Sequence, residues 1–342
     1  MKCIDTVSAV GHVLCHDLTR IVPGEWKGPQ FRKGHVVTRE DIPMLLSMGK
    51  EQLYVWELCD DQLHENEAAK RLAALCEGAN MRRGEVSEGK IELFAECAGL
   101  LRVDTERLFQ LNMLEDVMIA TRHTNVAVHA GDKLCGTRVI PLVIPKARIE
   151  EAERIAGVEP LLQLHRFRSM KAGIITTGSE VFHGRIADRF TPVVQEKLAA
   201  YGIETALQVV TDDASEHILA AILKMRDAKV DLVLCTGGMS VDPDDRTPLA
   251  IRQSGARVVT YGAPVLPGAM LMLGYYTDGT PVLGLPGCVM YAKATVFDLL
   301  LPQIAAGMPI AREDIVRLGC GGLCLGCSPC TYPDCGFGKR SF

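Results

Sequence analysis

Three short stretches decide the fold of this chain: Thr176-Thr177-Gly178-Ser179-Glu180, Thr236-Gly237-Gly238-Met239-Ser240 and Pro286-Gly287-Cys288. Each follows an apolar run that is typical of a buried strand: Ala172-Gly173-Ile174-Ile175, Val230-Asp231-Leu232-Val233-Leu234-Cys235 and Pro281-Val282-Leu283-Gly284-Leu285. In an open parallel sheet, ligands bind in the crevice beyond the carboxyl ends of the strands. Because glycine lets main-chain N–H groups approach an anion closely, these stretches predict a pocket for a phosphate-bearing small molecule.

Strand and helix patterns alternate along the second half of the chain. Apolar runs of strand length lie near residues 171–176, 203–210 and 231–235, and helical patterns are found at residues 192–201, 212–225, 247–255 and 290–301. Asp278-Gly279 between two apolar runs is typical of a hairpin turn. The alternation predicts an α/β fold, a mainly parallel sheet with helices on both faces.

The first half of the chain has the pattern of a smaller mixed α+β region. Apolar residues recur at helical spacing over residues 62–76 and 103–118, and residues 146–164 are rich in Glu and Ala, which also favours a helix. Between them lie short strand patterns and turns. We therefore predict an N-terminal mixed region at 1–165, a ligand-binding domain at 166–308 and a Cys-rich tail at 309–342.

Length and composition exclude several classes of protein. With 342 residues the chain suits two domains, or two domains and a tail. Its 37 basic and 42 acidic side chains give a net charge of −5, which offers no broad basic surface for nucleic acid. No apolar stretch reaches the roughly 18 residues of a membrane span, and the first residues lack the apolar region of a signal peptide. We expect a cytoplasmic protein that binds neither nucleic acid nor a membrane.

The cysteines are unevenly distributed. Of the 13 cysteines, eight are scattered between Cys3 and Cys288, and five lie in the tail: Cys320, Cys324, Cys327, Cys330 and Cys335. Their spacing would let four thiolates bind Zn²⁺, and the run from Cys324 is close to the spacing of an Fe–S ligand set. We predict a metal-binding tail, with a reduced, disordered tail as the alternative.

Six motifs in a fixed order extend the pattern beyond single glycine loops. After the first stretch come Gly184-Arg185-Ile186-Ala187-Asp188, Thr211-Asp212-Asp213, the second stretch with Val241, Pro267-Gly268 and Gly284-Leu285-Pro286-Gly287. This series resembles the molybdopterin-binding domain shared by molybdopterin molybdotransferases, molybdopterin adenylyltransferases and related nicotinamide-nucleotide amidohydrolases. The resemblance covers about residues 168–308. The first 60 residues are loosely similar to the amino-terminal part of the molybdotransferases.

The resemblance implies a set of site residues. Cofactor-binding roles fall on Thr177, Gly178, Ser179, Asp213, Gly237, Gly238, Ser240, Pro286 and Gly287, whose glycines admit main-chain donors and whose hydroxyl groups donate hydrogen bonds. Catalytic roles fall on Glu180, Asp188 and Asp245. The ligand implied is molybdopterin or another pterin or nucleotide, and the related domains assemble as homo-oligomers, dimers or trimers.

One departure from the family pattern affects the implied chemistry. Molybdotransferases carry Lys-Pro-Gly-Lys-Pro where this chain has Leu266-Pro267-Gly268-Ala269-Met270. Molybdate is a dianion, and the loss of two ammonium groups removes the most direct source of its binding. We therefore expect pterin binding to be retained more readily than molybdate insertion, unless Arg185, Arg189 or Arg246 compensates.

Acidic side chains are unusually frequent around these motifs. They are Glu180, Asp188, Asp213, Asp242, Asp244 and Asp245. Such a set suits Mg²⁺, which prefers carboxylate and phosphate oxygens and polarises a phosphoryl group for transfer or hydrolysis. Structural roles remain open for several of them: helix capping by Asp212 and Asp213, a solvated turn at 242–245, and surface exposure of Glu180.

Two further side chains beside the loops are candidates for reactivity. His183 lies just beyond the first loop and would serve as a general acid, although a lone histidine is more often structural. Cys288 lies near a predicted helix start, which lowers a thiol pKa and would favour a nucleophile, with a buried space-filling role as the alternative.

The sequence leads to three functional hypotheses, and whether the protein is an enzyme is left open. The first is binding of molybdopterin or adenylylated molybdopterin in molybdenum cofactor biosynthesis or handling, with Mg-dependent nucleotidyl or molybdate transfer as one option. The second is a non-catalytic carrier or sensor with a metal-binding tail. The third is a nucleotide amidohydrolase or pyrophosphatase of the same fold, which the Asp-x-Thr-Pro stretch at Asp245 favours.

Overall fold

The computed structural model of the chain describes residues 2–22, 26–56, 61–243 and 245–339. Contacts between residues divide the chain into two units. Unit 1 comprises residues 1–96, 103–122 and 130–164, and unit 2 comprises residues 97–102, 123–129 and 165–342. The three glycine-bearing stretches all lie in unit 2.

The described residues form the following elements. The strands are β1 (Lys2–Asp5), β2 (Leu18–Val22), β3 (Trp26–Phe31), β4 (Gln52–Val55), β5 (Gln62–His64), β6 (Met81–Arg83), β7 (Lys90–Ala95), β8 (Gly99–Val103), β9 (Val117–Thr121), β10 (Val126–Val128), β11 (Lys133–Val139), β12 (Val143–Pro145), β13 (Leu162–Arg166), β14 (Met170–Thr177), β15 (Ile203–Thr211), β16 (Leu232–Thr236), β17 (Arg257–Tyr261), β18 (Met272–Tyr275) and β19 (Pro281–Leu285). The α-helices are α1 (Asp41–Ser47), α2 (Glu65–Cys76), α3 (Thr105–Asn112), α4 (Lys146–Ala156), α5 (Ser179–Phe182), α6 (Phe190–Ala199), α7 (Ser215–Asp227), α8 (Thr247–Gln253), α9 (Val296–Ala305) and α10 (Arg312–Val316). Short 3₁₀ helices lie at Thr6–Ser8, Gly287–Met290 and Arg317–Gly319. Within the described ranges, every helix is too short or too polar to cross a membrane.

Unit 1 is built from small antiparallel sheets and helices. Strand β1 pairs with β4, β2 with β3 and β5 with β12, and a four-stranded sheet has the order β6–β7–β11–β9. Helix α2 packs Ala69 and Ala73 against Ile91 of this larger sheet. These elements confirm the mixed α+β character predicted for the first half of the chain.

Three helices predicted in the first half are shorter than the sequence pattern suggested. The first begins only at Glu65, because the ring of His64 accepts a hydrogen bond from the N–H of Asn66 and caps α2. The second begins after Asp104, whose carboxylate accepts from the N–H of Arg107. The third ends at Gly157, which takes a φ of +68° that favours glycine. Turns and short strand segments occupy the remainder of the predicted helices.

Unit 2 contains a six-stranded sheet in the order β15–β14–β16–β19–β18–β17. Strands β15, β14, β16 and β19 run parallel to one another, and β18 runs antiparallel to both β19 and β17. The turn at Asp278-Gly279 joins β18 to β19, as the sequence predicted. A further antiparallel pair joins residues 99–101 of β8 to residues 126–128 of β10. The predicted mainly parallel sheet is confirmed.

Helices cover both faces of this sheet because buried side chains alternate along its strands. On one face, Ile174 and Leu234 pack in the same cluster as residues of α6 and α9. On the other face, Ile175 and Val233 pack with residues of α7 and α8. All four strand residues are 0% exposed, and burying an aliphatic side chain of this size stabilises the fold by about 1.5–3 kcal/mol.

Helix α9 begins six residues later than the predicted helix at 290–301. The side chain of Thr295 accepts from the N–H of Phe297, and the carboxylate of Asp298 accepts from the N–H of Thr295. This reciprocal capping box fixes the start of the helix at Val296. Met290 instead ends a 3₁₀ helix at Gly287–Met290, and residues 291–295 form no helix.

The Cys-rich tail packs onto unit 2 over residues 320–339. Phe337 is 5% exposed within the same cluster as α9, and the hydroxyl of Tyr332 donates to the carbonyl of Asp298. The N–H of Leu266 donates to Gly322 and the carbonyl of Leu266 accepts from Cys324. The alternative of a disordered tail is therefore wrong for these residues, because two aromatic side chains supply the apolar surface that its glycines and prolines lack.

Candidate ligand site at the carboxyl ends of the strands

The carboxyl ends of the parallel strands are aligned by their register. Thr176 of β14 lies opposite Thr236 of β16, and Thr236 lies opposite Leu285 of β19. On the outer side, Thr177 lies opposite Thr211 of β15. The loops at residues 178–189, 212–214, 237–246 and 286–295 therefore begin side by side at one edge of the sheet.

A network of threonine hydroxyl groups joins the first two glycine loops. The hydroxyl of Thr177 donates to the carbonyl of Thr236 at 3.2 Å and lies 3.5 Å from the hydroxyl of Thr247. Thr247 in turn donates to the carbonyl of Gly237 at 2.9 Å, and its N–H donates to Gly238 at 3.2 Å. Thr177, predicted as a ligand-binding residue, is thus buried and holds the two loops together.

Gly237 and Gly238 occupy positions where the Cβ of any other residue would collide with Thr177 or Thr247. Their φ angles are +89° and +59°, in the left-handed region. A Cβ on Gly237 would lie 2.4 Å from the carbonyl oxygen of Thr177, and one on Gly238 would lie 2.8 Å from the hydroxyl of Thr247. The close approach of β14 to this loop therefore requires glycine at both positions.

The second and third loops present main-chain donors that have no internal acceptor. Among the described residues, the N–H groups of Gly238, Met239, Ser240 and Gly287 donate no hydrogen bond. Ser240 and Gly287 are also exposed. Unpaired N–H groups that converge on one edge of a sheet favour the binding of an anion.

The first loop is tied to the loop after β15. Both the N–H and the hydroxyl of Ser179 donate to one carboxylate oxygen of Asp213, each at 2.8 Å. Asp213 therefore does not cap α7, and the carboxylate of Asp212 instead accepts from the N–H of Ala214. Glu180 follows in the short helix α5 with an exposed side chain. The fold brings Ser179, Asp213 and Glu180 close in the chain's two loops, and of the carboxylates of Glu180, Asp212 and Asp213 only that of Glu180 is exposed without a hydrogen bond.

The carboxylate of Asp188 is bonded internally. One oxygen accepts from the N–H groups of Phe190 and Thr191 at the start of α6, and the other accepts from the hydroxyl groups of Thr176 and Thr191. Burial alone would raise the pKa of this carboxyl, but the hydrogen bonds outweigh burial and lower it. Asp188 thus fixes the first loop to the end of β14, and its catalytic role stays a prediction.

The lowered pKa of Asp188 predicts a defined acid sensitivity. Its hydrogen bonds stabilise the fold while the carboxylate is ionised, so this contribution is present above the unfolded pKa and is lost as pH falls through the lower folded value. We expect Asp188→Asn to reduce the loss of stability on acidification below about pH 4, compared with the wild type. Urea unfolding at pH 7 and at lower pH, followed by far-UV circular dichroism, measures it. The exposed Asp227→Asn is the control, and an unchanged acid dependence in Asp188→Asn would contradict the assignment.

The segment after Ser240 is a tight turn closed by Asp245. The N–H of Asp242 donates to the carboxylate of Asp245 at 3.2 Å, and the N–H of Asp245 donates to the carbonyl of Asp242 at 2.9 Å. The hydroxyl of Tyr261 donates to Met239 at 2.9 Å and so supports the preceding loop. Asp244 lies outside the described residues. The turn expected from the sequence is present, with Asp245 half-buried at its base.

The third loop differs from expectation at Cys288. Pro286 is buried and Gly287 is exposed at the start of the 3₁₀ helix. Burial raises the pKa of the Cys288 thiol, an effect that a hydrogen bond from its own main chain only partly offsets. The predicted lowering of this pKa is wrong, because four residues of 3₁₀ helix replace the longer helix start on which the prediction depended. His183 is exposed beside Phe182, and its imidazole forms no hydrogen bond with the described residues, while its N–H donates to the carbonyl of Ser179.

The predicted metal centres are not assembled. Among the described residues, no three His, Cys, Asp or Glu side chains lie close enough to hold a metal ion. Around the loops, the carboxylates of Asp188, Asp212 and Asp213 already accept internal hydrogen bonds. In the tail, Cys324 and Cys335 pack against the core, and the thiols of Cys320, Cys327 and Cys330 are exposed. Neither the carboxylates nor the tail thiols fit a ready metal site.

Comparison with known families identifies the part of the chain that carries these loops. Residues 173–306 match the model of the probable molybdopterin binding domain. This segment belongs to the molybdopterin-binding domain family. The molybdopterin-binding domain thus spans β14 to α9 and includes all four loops at the edge of the sheet. Residues 3–57 match a second model, a domain of unknown function.

Individual relatives match a shorter part of the chain. A CinA-like protein of Mycobacterium marinum is 37% identical over 79 residues, which is 23% of this chain and 19% of the relative. A CinA-like protein of Mycobacterium avium is 32% identical over 97 residues, 28% of this chain and 22% of the relative. The chain thus spans about a fifth of the length of the curated relatives it matches.

Solved structures align with about two fifths of the chain. The molybdopterin biosynthesis enzyme MoaB of Thermus thermophilus is 26% identical, with 41% of this chain and 98% of that chain covered and a TM-score of 0.35. The protein CinA of Thermoplasma acidophilum, whose function is unknown, is 17% identical, with 40% of this chain and 98% of that chain covered and a TM-score of 0.34.

Two residues that shape the site were not selected from the sequence for that purpose. Thr247 begins α8 and bonds to both glycine loops. Tyr261 lies at the end of β17, more than 20 residues from the loop it supports. The Thr-Pro pair was a signal for Thr247, whereas nothing in the sequence around Tyr261 indicates its contact with Met239.

Proposed function

We propose that the edge of the unit 2 sheet binds a molybdopterin-type pterin phosphate in the biosynthesis or handling of the molybdenum cofactor. The observation that carries the proposal is the unpaired main-chain donors of the Gly237-Gly238 loop and of Gly287, within a segment matched by the molybdopterin-binding model. Main-chain N–H groups of this kind bind phosphate without requiring a positively charged side chain.

The proposal assigns the polar groups of the loops to the ligand. The N–H groups of Gly238 and Ser240 and the hydroxyl of Ser240 would bind phosphate or the polar edge of the pterin. The exposed side chains of Arg185, Arg189 and Arg246 supply positive charge around the same loops. These arginines are the groups available to replace the two lysines of the molybdotransferases, whose positions are occupied here by Leu266 and Ala269.

The proposal gives the three candidate catalytic carboxylates different roles. Glu180 is exposed and is the group available to contact substrate. Asp245 orders the turn after Ser240 through the N–H of Asp242. Asp188 holds the first loop in place through its bonds to Thr176 and Thr191. The proposal assigns no role to Mg²⁺, because most of the surrounding carboxylates already accept hydrogen bonds from the protein.

Direct titration of the purified chain with molybdopterin under anaerobic conditions tests the proposal. Saturable binding at micromolar ligand, measured by pterin fluorescence or calorimetry, is the expected result. Failure to bind at that concentration would overturn it. Zinc, iron and molybdenum in the same preparation, measured by mass spectrometry, would show whether the tail or the site carries a metal.

Substitution of the half-buried Asp245 and of the exposed Glu180 separates binding from chemistry. We expect Asp245→Asn to weaken molybdopterin binding by about tenfold, because the turn that holds Ser240 loses a charge-assisted hydrogen bond of about 1.5–3 kcal/mol. We expect Glu180→Gln to leave binding within about threefold and to reduce any nucleotidyl or molybdate transfer by about 100-fold. Glu216→Gln in α7 is an exposed control. Equal effects of all three substitutions would contradict these roles.

A nucleotide hydrolase is the second candidate function. The Asp245-Arg246-Thr247-Pro248 stretch favours it, since Thr247 bonds to the loop that carries the unpaired donors. Incubation with a nicotinamide nucleotide or dinucleotide would then give hydrolysis products in the absence of molybdopterin. Release of product by the wild type, lost in Glu180→Gln, would favour this function over cofactor handling.

The carrier or sensor hypothesis and the oligomeric state have their own tests. A chain that ends at Gly319 would lose the packing of Phe337 and Tyr332 as well as the cysteines. The test therefore also uses the variants Cys320→Ser, Cys327→Ser and Cys330→Ser, which remove exposed thiols and keep the fold. An enzyme should keep its turnover in the serine variants, whereas a metal or redox sensor should lose its response. Light scattering after size exclusion would test the dimer or trimer, which the exposed apolar side chains of Val241 and Tyr291 beside the loops support.

A further inference from the structure

A cavity lies at the amino ends of the parallel strands, at the opposite end of the sheet from the glycine loops. It is lined by Met170 at the start of β14, Pro281 at the start of β19 and Arg257 at the start of β17. Its volume is about 880 Å³. This is within the range of cavities that bind small molecules, and all of its lining residues belong to unit 2.

Three arginines line this cavity and lack acidic partners. Within the described part of the chain, Arg168, Arg257 and Arg312 form no ion pair with a carboxylate. Within the same residues, the only hydrogen bond of their side chains is a long one, 3.4 Å, from the guanidinium of Arg312 to the hydroxyl of Thr260. Arginine presents planar, paired N–H donors that match phosphate and carboxylate groups.

The two lining carboxylates, by contrast, already have partners. Asp278 pairs with Arg226 at 2.7 Å, and Arg226 also stacks over the ring of Tyr276. Asp231 accepts the main-chain N–H of Lys171 at 2.8 Å. The positive charge of the cavity is therefore available to a ligand, while its negative charge is partly satisfied within the protein.

The position of Arg168 depends on a glycine. A Cβ on Gly307 would lie 2.1 Å from the central carbon of the Arg168 guanidinium. Gly307 also has a φ of +68°, and the N–H of Arg168 donates to the carbonyl of Ala305 at 2.8 Å. The guanidinium therefore lies directly over the backbone at the end of α9, where any larger residue would displace it.

The wall of the cavity combines apolar surface with one polar hydroxyl group. Ile304 and Ile310 are buried and line the cavity beside Met170. The hydroxyl of Tyr275 accepts a hydrogen bond from the N–H of Ile310 at 3.0 Å, which leaves its own proton free to donate. Such a wall suits a ligand with an apolar portion next to its charged group.

From these contacts we propose that the cavity is a second ligand site of unit 2, for a small organic phosphate that carries an aromatic or aliphatic group. The phosphate lies between the guanidinium groups of Arg257 and Arg312, within reach of Arg168. The organic group packs against Ile304 and Ile310. This site is separate from the glycine loops and does not depend on the function proposed for them.

Calorimetric titration of the full chain with phenyl phosphate tests the site. We expect saturable binding with one ligand per chain, weaker binding of inorganic phosphate, and none of benzyl alcohol, which lacks the charge. The double variant Arg257→Gln, Arg312→Gln should weaken phenyl phosphate binding by about tenfold or more. The exposed Arg317→Gln, outside the cavity, is the control and should bind as the wild type does.

A second variant tests the geometry without removing charge. Gly307→Ala should weaken binding through displacement of the Arg168 guanidinium, whereas Gly202→Ala, at a similar φ of +71° with open space around it, should not. No saturable binding at millimolar phenyl phosphate would overturn the proposal. So would binding that survives the double arginine variant, or that is lost instead when Gly237 is changed, because it would then lie at the glycine loops.

Discussion

Replacing Gly237 with alanine is expected to abolish saturable molybdopterin binding, the largest functional effect that we predict for a single methyl group. The added Cβ would lie 2.4 Å from the main-chain oxygen of Thr177, and the φ of +89° disfavours any L side chain. The carbonyl of Thr177 belongs to the central strand β14 and cannot rotate away. The loop must therefore move, and the unpaired N–H groups of Gly238 and Ser240 would move with it.

The measurement is the same anaerobic titration used for the wild type, with a loss of affinity of at least about 100-fold, or roughly 2.7 kcal/mol. Gly255→Ala is the matched control, because Gly255 has a φ of +87° but open space around it. It isolates the cost of the backbone conformation from the cost of the collision. Retained affinity in Gly237→Ala would show that the second loop does not form the ligand site.

Replacing Lys197 with alanine is expected to destabilise unit 2 by about 3–5 kcal/mol. Lys197 in α6 pairs with Asp298 in α9, and the two side chains are only 13% and 10% exposed. Its ammonium group also donates to the carbonyl of Lys293 at 3.0 Å. Removal of the lysine would leave the buried carboxylate of Asp298 without its charged partner. Asp298 cannot turn away without breaking the cap of α9 that it forms with Thr295.

This effect also reaches the ligand site through the two helices. Helix α6 follows the first glycine loop, and α9 follows the loop that starts at Gly287. The Lys197–Asp298 pair joins the last turn of α6 to the first turn of α9. We therefore expect Lys197→Ala to weaken molybdopterin binding as well, by less than it weakens folding.

Hydrogen exchange of peptides from α6 and α9, measured by mass spectrometry, reports this loss within unit 2. Both tryptophans of the chain, Trp26 and Trp56, lie in unit 1, so their fluorescence serves as an internal control that should not change. The double variant Lys197→Met, Asp298→Asn should recover much of the stability, since asparagine still accepts a hydrogen bond and no charge remains. If the single and double variants were equally unstable, packing and not charge would account for the effect.

The repeated strand and loop pattern allowed much of unit 2 to be predicted from sequence. Apolar runs such as the one at Ile174-Ile175 are followed within three residues by glycine, and this combination indicates a buried parallel strand and the loop that follows it. The positions of the helix starts were harder to predict. Spacing alone suggested a helix from residue 290, but the cap at Thr295 depends on a reciprocal bond with Asp298 that competes with the apolar pattern.

The roles of the acidic residues could not be read from their spacing. Glu180, Asp188 and Asp213 have the same chemistry in the sequence, yet only Glu180 keeps an exposed carboxylate. Asp188 accepts from the nearby Thr191 and also from Thr176 at the end of β14, and Asp213 accepts from Ser179. The sequence does not place Thr176 beside Asp188 or Ser179 beside Asp213. The tail is a similar case, because its five cysteines suggested a metal site while Phe337 and Tyr332 determined how it packs.

The sequence by itself determined the mainly parallel sheet, the glycine-bearing loops that follow its strands, and the resemblance of residues 168–308 to the molybdopterin-binding domain. These properties depend on local geometry and on the order of residues along one chain. Only the tertiary structure decided which side chains hold the loops, where unpaired donors and arginines remain, and which carboxylates stay free. Those outcomes depend on contacts between residues distant in sequence, where hydrogen bonds compete for the same groups and burial decides the result.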